Sequence, residues 1–281
     1  MGYVFTIDIE DWFQVENLRG VYPLKSWPSC ELKIENNVKI LLELFAKYNI
    51  KATFFVLGWI AEKVPHLVRE IQGYGHEVAS HGYWHELIYK QSLKKFAEDV
   101  EKSKKILEDI TGEEIKGYRA PSFTINNEAI NILYEKGYIY DSSYCATPLN
   151  RKYGKLDLRN TEKKNGIYIF QNGFYEIPVS TVKFLNIQIP TGGAYFRIFP
   201  YYLFKYKFKS LNNNSNNELV VFYIHPWEID PDQPKVKGIS FIKKFKHYTN
   251  LKKNLNKLEK LIKEFSFISI KEYLKLNNFL I

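Results

Sequence analysis

The chain has 281 residues, 45% hydrophobic and 25% charged, a balance that fits a globular protein and excludes a disordered or fibrous one. Two cysteines, Cys30 and Cys145, exclude a disulfide framework and a four-cysteine zinc module and lean toward a reducing compartment. The formal charge is +9, from 40 Lys plus Arg against 31 Asp plus Glu, with the surplus mostly in the C-terminal third.

In chain order, YVFTIDI (3–9) is β-branched and aromatic and reads as a strand ending in the acids Asp8, Glu10 and Asp11. The stretch has no basic start before an apolar run, so no signal peptide is expected, and no run of about 18 apolar residues predicts a membrane span. A cytoplasmic protein, with peripheral membrane contact left open, is the expectation. NNVKILLELFAKY (36–48) has helical spacing, KATFFVLG (51–58) is a buried-strand run, and EKVPHLVREIQGYG (62–75) a helix stopped by glycines. HEVASH (76–81) is a short strand, 92–112 a long amphipathic helix, KGYRAP (116–121) a strand running into a loop, 127–138 a helix and IYDSSY (139–144) a strand end. Residues 146–218 read as an irregular inserted segment, with a Gly-Gly pair, an aromatic run and the low-complexity NNNSNN. LVVFYIHPWEID (219–230) returns to a buried strand, KLEKLIKEF (257–265) to a helix and SFISI (266–270) to a last strand.

Strands alternating with helices imply βαβ crossovers and a mostly parallel sheet, here a distorted (β/α) barrel of about seven parallel strands forming one domain over 1–281. Asp8, His81, Arg119, Asp141 and His225 each end a predicted strand. In a parallel barrel those ends converge on the face where loops build the active site. The C-terminal lysines alternate with Leu and Ile at helical spacing and read as solvated helix faces rather than a nucleic-acid surface. Aromatics make up 16% of the chain, enough for a core and for a groove suited to the C–H faces of sugars.

His81 and His85 stand four apart in SHGYWHE, a spacing that on a helical turn lets two imidazoles share one divalent ion. Gly82 and Tyr83 replace the H-E-x-x-H glutamate, which disfavours protease chemistry. Two histidines and one carboxylate leave an open coordination position, as at a catalytic zinc. A further carboxylate could serve as general base, His225 as general acid, and Arg119 as the partner of a carboxylate.

The motifs TIDIEDWF, TFFVLGWIAE, SHGYWH, GYRAPSF, YDSSY and VFYIHPWEID occur in the order found in the polysaccharide deacetylases, carbohydrate esterase family four, which the chain resembles over about residues 3–275. HPWEID and GGAYFR make it most similar to the branch associated with exopolysaccharide synthesis. The resemblance implies a divalent metal, usually zinc, and removal of N- or O-acetyl groups from an acetylated glycan, with no nucleic-acid partner. It further implies Asp8 as base, His81 and His85 as metal ligands, Arg119 as partner of the base and His225 as acid. Ser122 takes the position whose amide serves an oxyanion hole, and Phe123 and Trp227 are candidates for stacking on sugar.

One departure concerns the carboxylate ligand. Ile9 follows Asp8 where the commoner pattern has a second aspartate. Strand alternation returns Glu10 to the side of Asp8 and makes it the first choice for the ligand, with Asp11 the alternative if the strand ends or bulges at Ile9. Relatives with Asp-x-Asp resemble amidases of cyclic amides or ureides, which remains an alternative activity. A non-catalytic glycan-binding protein is another.

Overall fold

The computed structural model describes residues 2–147, 154–184, 187–214 and 219–279. β1 (Tyr3–Ile9) is buried along its whole length, as an interior strand of a parallel sheet covered on both faces. Around it run α1 (Ile34–Lys47), β2 (Thr53–Val56), α2 (Gly58–Lys63), α3 (Pro65–Gly73), β3 (Glu77–Ser80), α4 (Leu93–Thr111), β4 (Gly117–Tyr118), α5 (Asn127–Glu135) and β5 (Tyr140–Asp141). There follow β6 (Glu162–Lys164), β7 (Ile167–Ile169), β8 (Tyr175–Glu176), the hairpin β9 (Thr181–Phe184) and β10 (Ile187–Pro190), α6 (Gly193–Ile198) and α7 (Tyr201–Asn214). The chain closes with β11 (Val220–Ile224), α8 (Phe241–Tyr248), α9 (Leu251–Glu264), β12 (Phe267–Ile268) and α10 (Ile270–Leu276).

The main sheet has the order β11-β1-β2-β3-β4-β5-β8-β7-β6. Its first seven members are parallel, as expected for the barrel, while β7 and β6 extend it antiparallel. Among the described strands no ladder joins β11 to β6, so the sheet curls as a half-barrel. Phe5, Phe45, Phe222 and Phe267 pack edge to face over β1, which is where much of the aromatic content goes.

Several boundaries differ from expectation for local reasons. The helix expected over 62–75 is two helices, broken at Val64, where the following Pro65 disfavours helical backbone. The strand expected to 230 stops at Ile224, and Pro226–Ile229 form a 3₁₀ turn. The last strand is only Phe267–Ile268, because Ser269 caps α10 by accepting from the Glu272 amide. The largest correction concerns 146–218. Its described residues hold three strands of the main sheet, a hairpin and two helices; the first three residues of NNNSNN end α7 and the other three fall outside the described residues. Polar turns and strands of two to four residues conceal that order from periodicity.

Candidate active site and metal centre

Parallel neighbours bring their C-terminal ends together: His225 after β11, Asp8 in β1, His81 after β3, Arg119 after β4, Asp141 in β5 and Glu176 in β8. Asp8, Glu10, His81, His85, Ser122, Phe123, His225 and Trp227 line one cleft of about 200 Å³.

β1 does end at Ile9, yet Glu10 stays with Asp8, because the Glu10 amide donates to the Asp8 carbonyl at 3.0 Å in a tight turn. That turn sends Asp11 the other way. Its Oδ1 accepts from the Trp12 amide at 2.8 Å and its Oδ2 from the Lys33 and Ile34 amides at 2.7 and 3.0 Å. Asp11 thus holds the start of α1 and lies outside the cluster of Glu10, His81 and His85, whose donor atoms fall within 4.8 Å of one another. Burial lifts the Asp11 carboxyl to about 6 against those three amides.

His81 and His85 do not share a helical turn. They are joined by a loop in which Gly82 and His85 have φ of +72° and +53°. Asp99 on α4 accepts from the Tyr83 and Trp84 amides at 2.7 and 3.1 Å, and Arg19 donates to the His85 carbonyl at 2.7 Å. The i, i+4 spacing is met by a pinned loop rather than by helix geometry.

His81 Nδ1 lies 2.8 Å from the Arg119 carbonyl, so it carries the proton and leaves Nε2 as the free donor. Burial lowers this imidazole to about 4 and keeps it neutral. His85 Nε2 lies 2.8 Å from Glu10 Oε2. Glu10 would be raised by its burial, but the charge of His85, then that of His225, brings it down to about 2. His85 Nδ1 is a buried polar atom without a hydrogen bond, and Glu10 Oε2, although 2.8 Å from His85 Nε2, is not in hydrogen-bond geometry with it. Orphaned atoms of this kind on one imidazole and one carboxylate, beside the unprotonated Nε2 of His81, suit a divalent cation.

Arg119 is wholly buried. Its Nη1 donates to Asp8 Oδ1 at 2.8 Å and Thr6 Oγ1 at 2.7 Å, while Nε and Nη2 reach the Ser142 carbonyl and hydroxyl at 2.8 and 2.9 Å. Ser122 and Phe123 follow with φ of +51° and +58°, uncommon for residues with a Cβ. The Phe123 amide donates back to the Ala120 carbonyl at 2.9 Å. The Ser122 amide has no acceptor among the described residues, and Ser122 lines the cleft.

His225 Nε2 lies 3.2 Å from Glu10 Oε1 and 3.8 Å from Asp8 Oδ2. Its Nδ1 lies 2.7 Å from Glu228 Oε1, and Glu228 Oε2 accepts from Arg197 Nε at 2.6 Å. Burial opposes protonation of His225, but the charges of Glu10 and Glu228 carry it up to about 9. Glu228 and Arg197 were missed in the sequence, although a glutamate three residues after a His-Pro turn start has the spacing of a capping box. Gly192 lets α6 bring Arg197 close: a Cβ there would lie 1.9 Å from the Tyr223 carbonyl oxygen.

Trp227 lines the cleft but is mostly buried, its ring stacked on His225, at 5.3 Å, and on His247, at 4.5 Å. Phe123 packs edge to face on Tyr223 and also lines the cleft. A second feature missed in the sequence is the buried pair of Asp141 and Glu176. Ser143 ties them to the Arg119 loop, since its hydroxyl donates to Asp141 Oδ1 at 2.6 Å and accepts from the Ala120 amide at 2.7 Å.

Residues 28–140 match the family described as Polysaccharide deacetylase, and residues 142–275 match a Domain of unknown function (DUF3473). A peptidoglycan deacetylase of Helicobacter pylori is 35% identical over 109 residues, 39% of this chain and 37% of that protein. A peptidoglycan-N-acetylglucosamine deacetylase of Bacillus cereus is 35% identical over 81 residues, 29% of this chain and 30% of that protein. The matched region thus spans about a third of the length of these curated relatives. The crystal structure of a candidate polysaccharide deacetylase from Mycobacterium smegmatis shares the fold, at 18% identity and a TM-score of 0.64 over 99% of this chain and 90% of that one. With the ordered motifs and the matched profile in agreement, residues 28–140 form a polysaccharide deacetylase domain.

Proposed function

We propose that the protein is a metal-dependent hydrolase that removes N- or O-linked acetyl groups from a saccharide and releases acetate. The observation that carries this reading is the buried Glu10–His81–His85 cluster standing beside the Asp8–Arg119 ion pair in one cleft. Relatives named peptidoglycan deacetylase support an acetylated glycan as substrate, and the HPWEID and GGAYFR segments favour one from exopolysaccharide synthesis.

Glu10, His81 and His85 would hold the ion, and their nitrogen and oxygen donors favour zinc. When bound, such an ion polarises the acetyl carbonyl and makes water acidic enough to attack at neutral pH. In this reading Asp8 takes the proton of the attacking water, with Arg119 holding the carboxylate by Oδ1 and leaving Oδ2 toward the cleft. The Ser122 amide donates to the oxyanion as the carbonyl carbon becomes tetrahedral. His225 gives its Nε2 proton to the departing amine or sugar oxygen as the bond to the acetyl carbon breaks. Glu228, fixed by Arg197, orients that imidazole and sustains its charge. Phe123 supplies an apolar wall beside the acetyl group.

Acetate release from acetylated chitooligosaccharides, assayed beside ring opening of imides and ureides, tests the proposal. It predicts acetate release that Asp8→Asn lowers by about 10²-fold or more. Ring opening without acetate release would instead assign the Asp8-Ile9-Glu10 spacing to a cyclic amidase.

A further inference from the structure

Helix α8, FIKKFKHY, turns its apolar side away from the protein. Phe241 is 81% exposed, Ile242 68% and Phe245 47%, whereas the residue that α8 buries is His247. At about 100° per residue, Phe241, Phe245 and Ile242 centre on the side opposite His247, with Lys244 and Lys246 flanking them. Single exposed apolar side chains are ordinary, but three large neighbours on the outermost face of a helix mark a contact surface.

The surrounding charge identifies the partner. From Gln233 to Leu258 the chain carries eight lysines and no Asp or Glu. Apolar side chains ringed by lysine suit the headgroup boundary of an anionic bilayer, where the rings enter the acyl edge and the ammonium groups meet lipid phosphates. A nucleic acid would engage the lysines and leave Ile242 in water. An uncharged protein groove would take the apolar residues and gain nothing from the lysines. The same helix also reaches the cleft, since Lys246 and His247 line it and the His247 ring stacks on Trp227.

We propose that α8 docks the protein on an anionic lipid bilayer, with Phe241, Ile242 and Phe245 inserted, so that the cleft receives a membrane-borne glycan. The docking stands independently of the chemistry; only the nature of the delivered substrate rests on the deacetylase reading.

Sedimentation of the full chain with phosphatidylcholine vesicles, with and without phosphatidylglycerol, tests the docking and needs no turnover. Binding is expected to the anionic vesicles alone. The F241S/I242S/F245S variant should partition at least about tenfold more weakly, and K243Q/K244Q should lose binding by a similar factor at low salt. All five side chains are exposed, so thermal melts and acetate release from a soluble oligosaccharide should match the parent. If the triple variant misfolds, F241S and K243Q/K244Q carry the test. Several results would overturn the proposal: no binding to anionic vesicles, equal binding by the apolar variants, or displacement from vesicles by oligonucleotide with the triple variant binding that oligonucleotide as the parent does. Self-association of the parent in place of vesicle binding, lost in F241S, would reassign the face to a second copy of the chain.

Discussion

Arg119 and Asp8 form a buried 2.8 Å ion pair, with side-chain exposures of 0% and 3%. Both charges were taken out of water, so the pair is held by its geometry and by the Thr6 and Ser142 oxygens that complete the guanidinium's partners. Removing either partner leaves a buried charge uncompensated. Arg119→Ala is therefore expected to destabilise the fold by about 3–5 kcal/mol. Asp8→Asn also leaves the guanidinium without its counter-charge but keeps the shape and a hydrogen-bond acceptor, so it should lose less stability and still fold while losing about 10²-fold or more in kcat. Denaturant melts and steady-state kinetics on the two variants check this contrast.

His225 and Glu228 should separate orientation from binding. Glu228→Gln retains one contact to the imidazole but removes the charge that favours its proton. The expected result is a kcat about 10- to 100-fold lower with KM nearly unchanged. A matching rise in KM would instead assign Glu228 to substrate binding.

The Asp141–Glu176 pair predicts a pH dependence of stability. Burial raises Asp141 to about 6, and burial together with neighbouring Asp141 raises Glu176 well above the usual carboxylate range. A raised acid holds its proton more tightly when folded than when unfolded. Its contribution is complete below the unfolded value of about 4 and is lost as pH rises through the folded one. Asp141→Asn stays neutral throughout, so its Tm minus that of the parent should increase by several degrees between pH 4 and pH 7. A difference constant with pH would contradict the raised carboxyls.

Gly192 gives a packing prediction. A methyl group there would meet the Tyr223 carbonyl oxygen at 1.9 Å, so Gly192→Ala must push α6 off β11 and carry Arg197 away from Glu228. A loss of about 1–3 kcal/mol is expected, together with reduced kcat. Gly73, with open space around its Cβ position, should accept alanine and serves as the control.

These relationships differ in how far they can be read from sequence. Residues at strand ends were legible, because a parallel sheet places Asp8, His81, Arg119 and His225 on one face whatever the details of each loop. The choice between Glu10 and Asp11 was not, since a single amide-to-carbonyl turn at Ile9 reorients both carboxylates and alternation cannot register it. The sequence does not reveal that His247, 20 residues later, stacks on Trp227. The order in 146–218 stayed hidden because its strands are too short to show a period. Arg197 and Glu176 lie within that stretch and went unseen with it.

The central claim, that Glu10, His81 and His85 form a metal centre, is tested most directly by the metal content of zinc-loaded, dialysed protein and its variants. The expected result is about one zinc per chain for the parent, for Asp8→Asn and for Asp11→Asn, since an asparagine can still accept the amides at the start of α1. Glu10→Gln and His81→Ala should retain little or none while remaining folded. Full zinc in His81→Ala and Glu10→Gln, or loss of zinc in Asp11→Asn alone, would contradict the account.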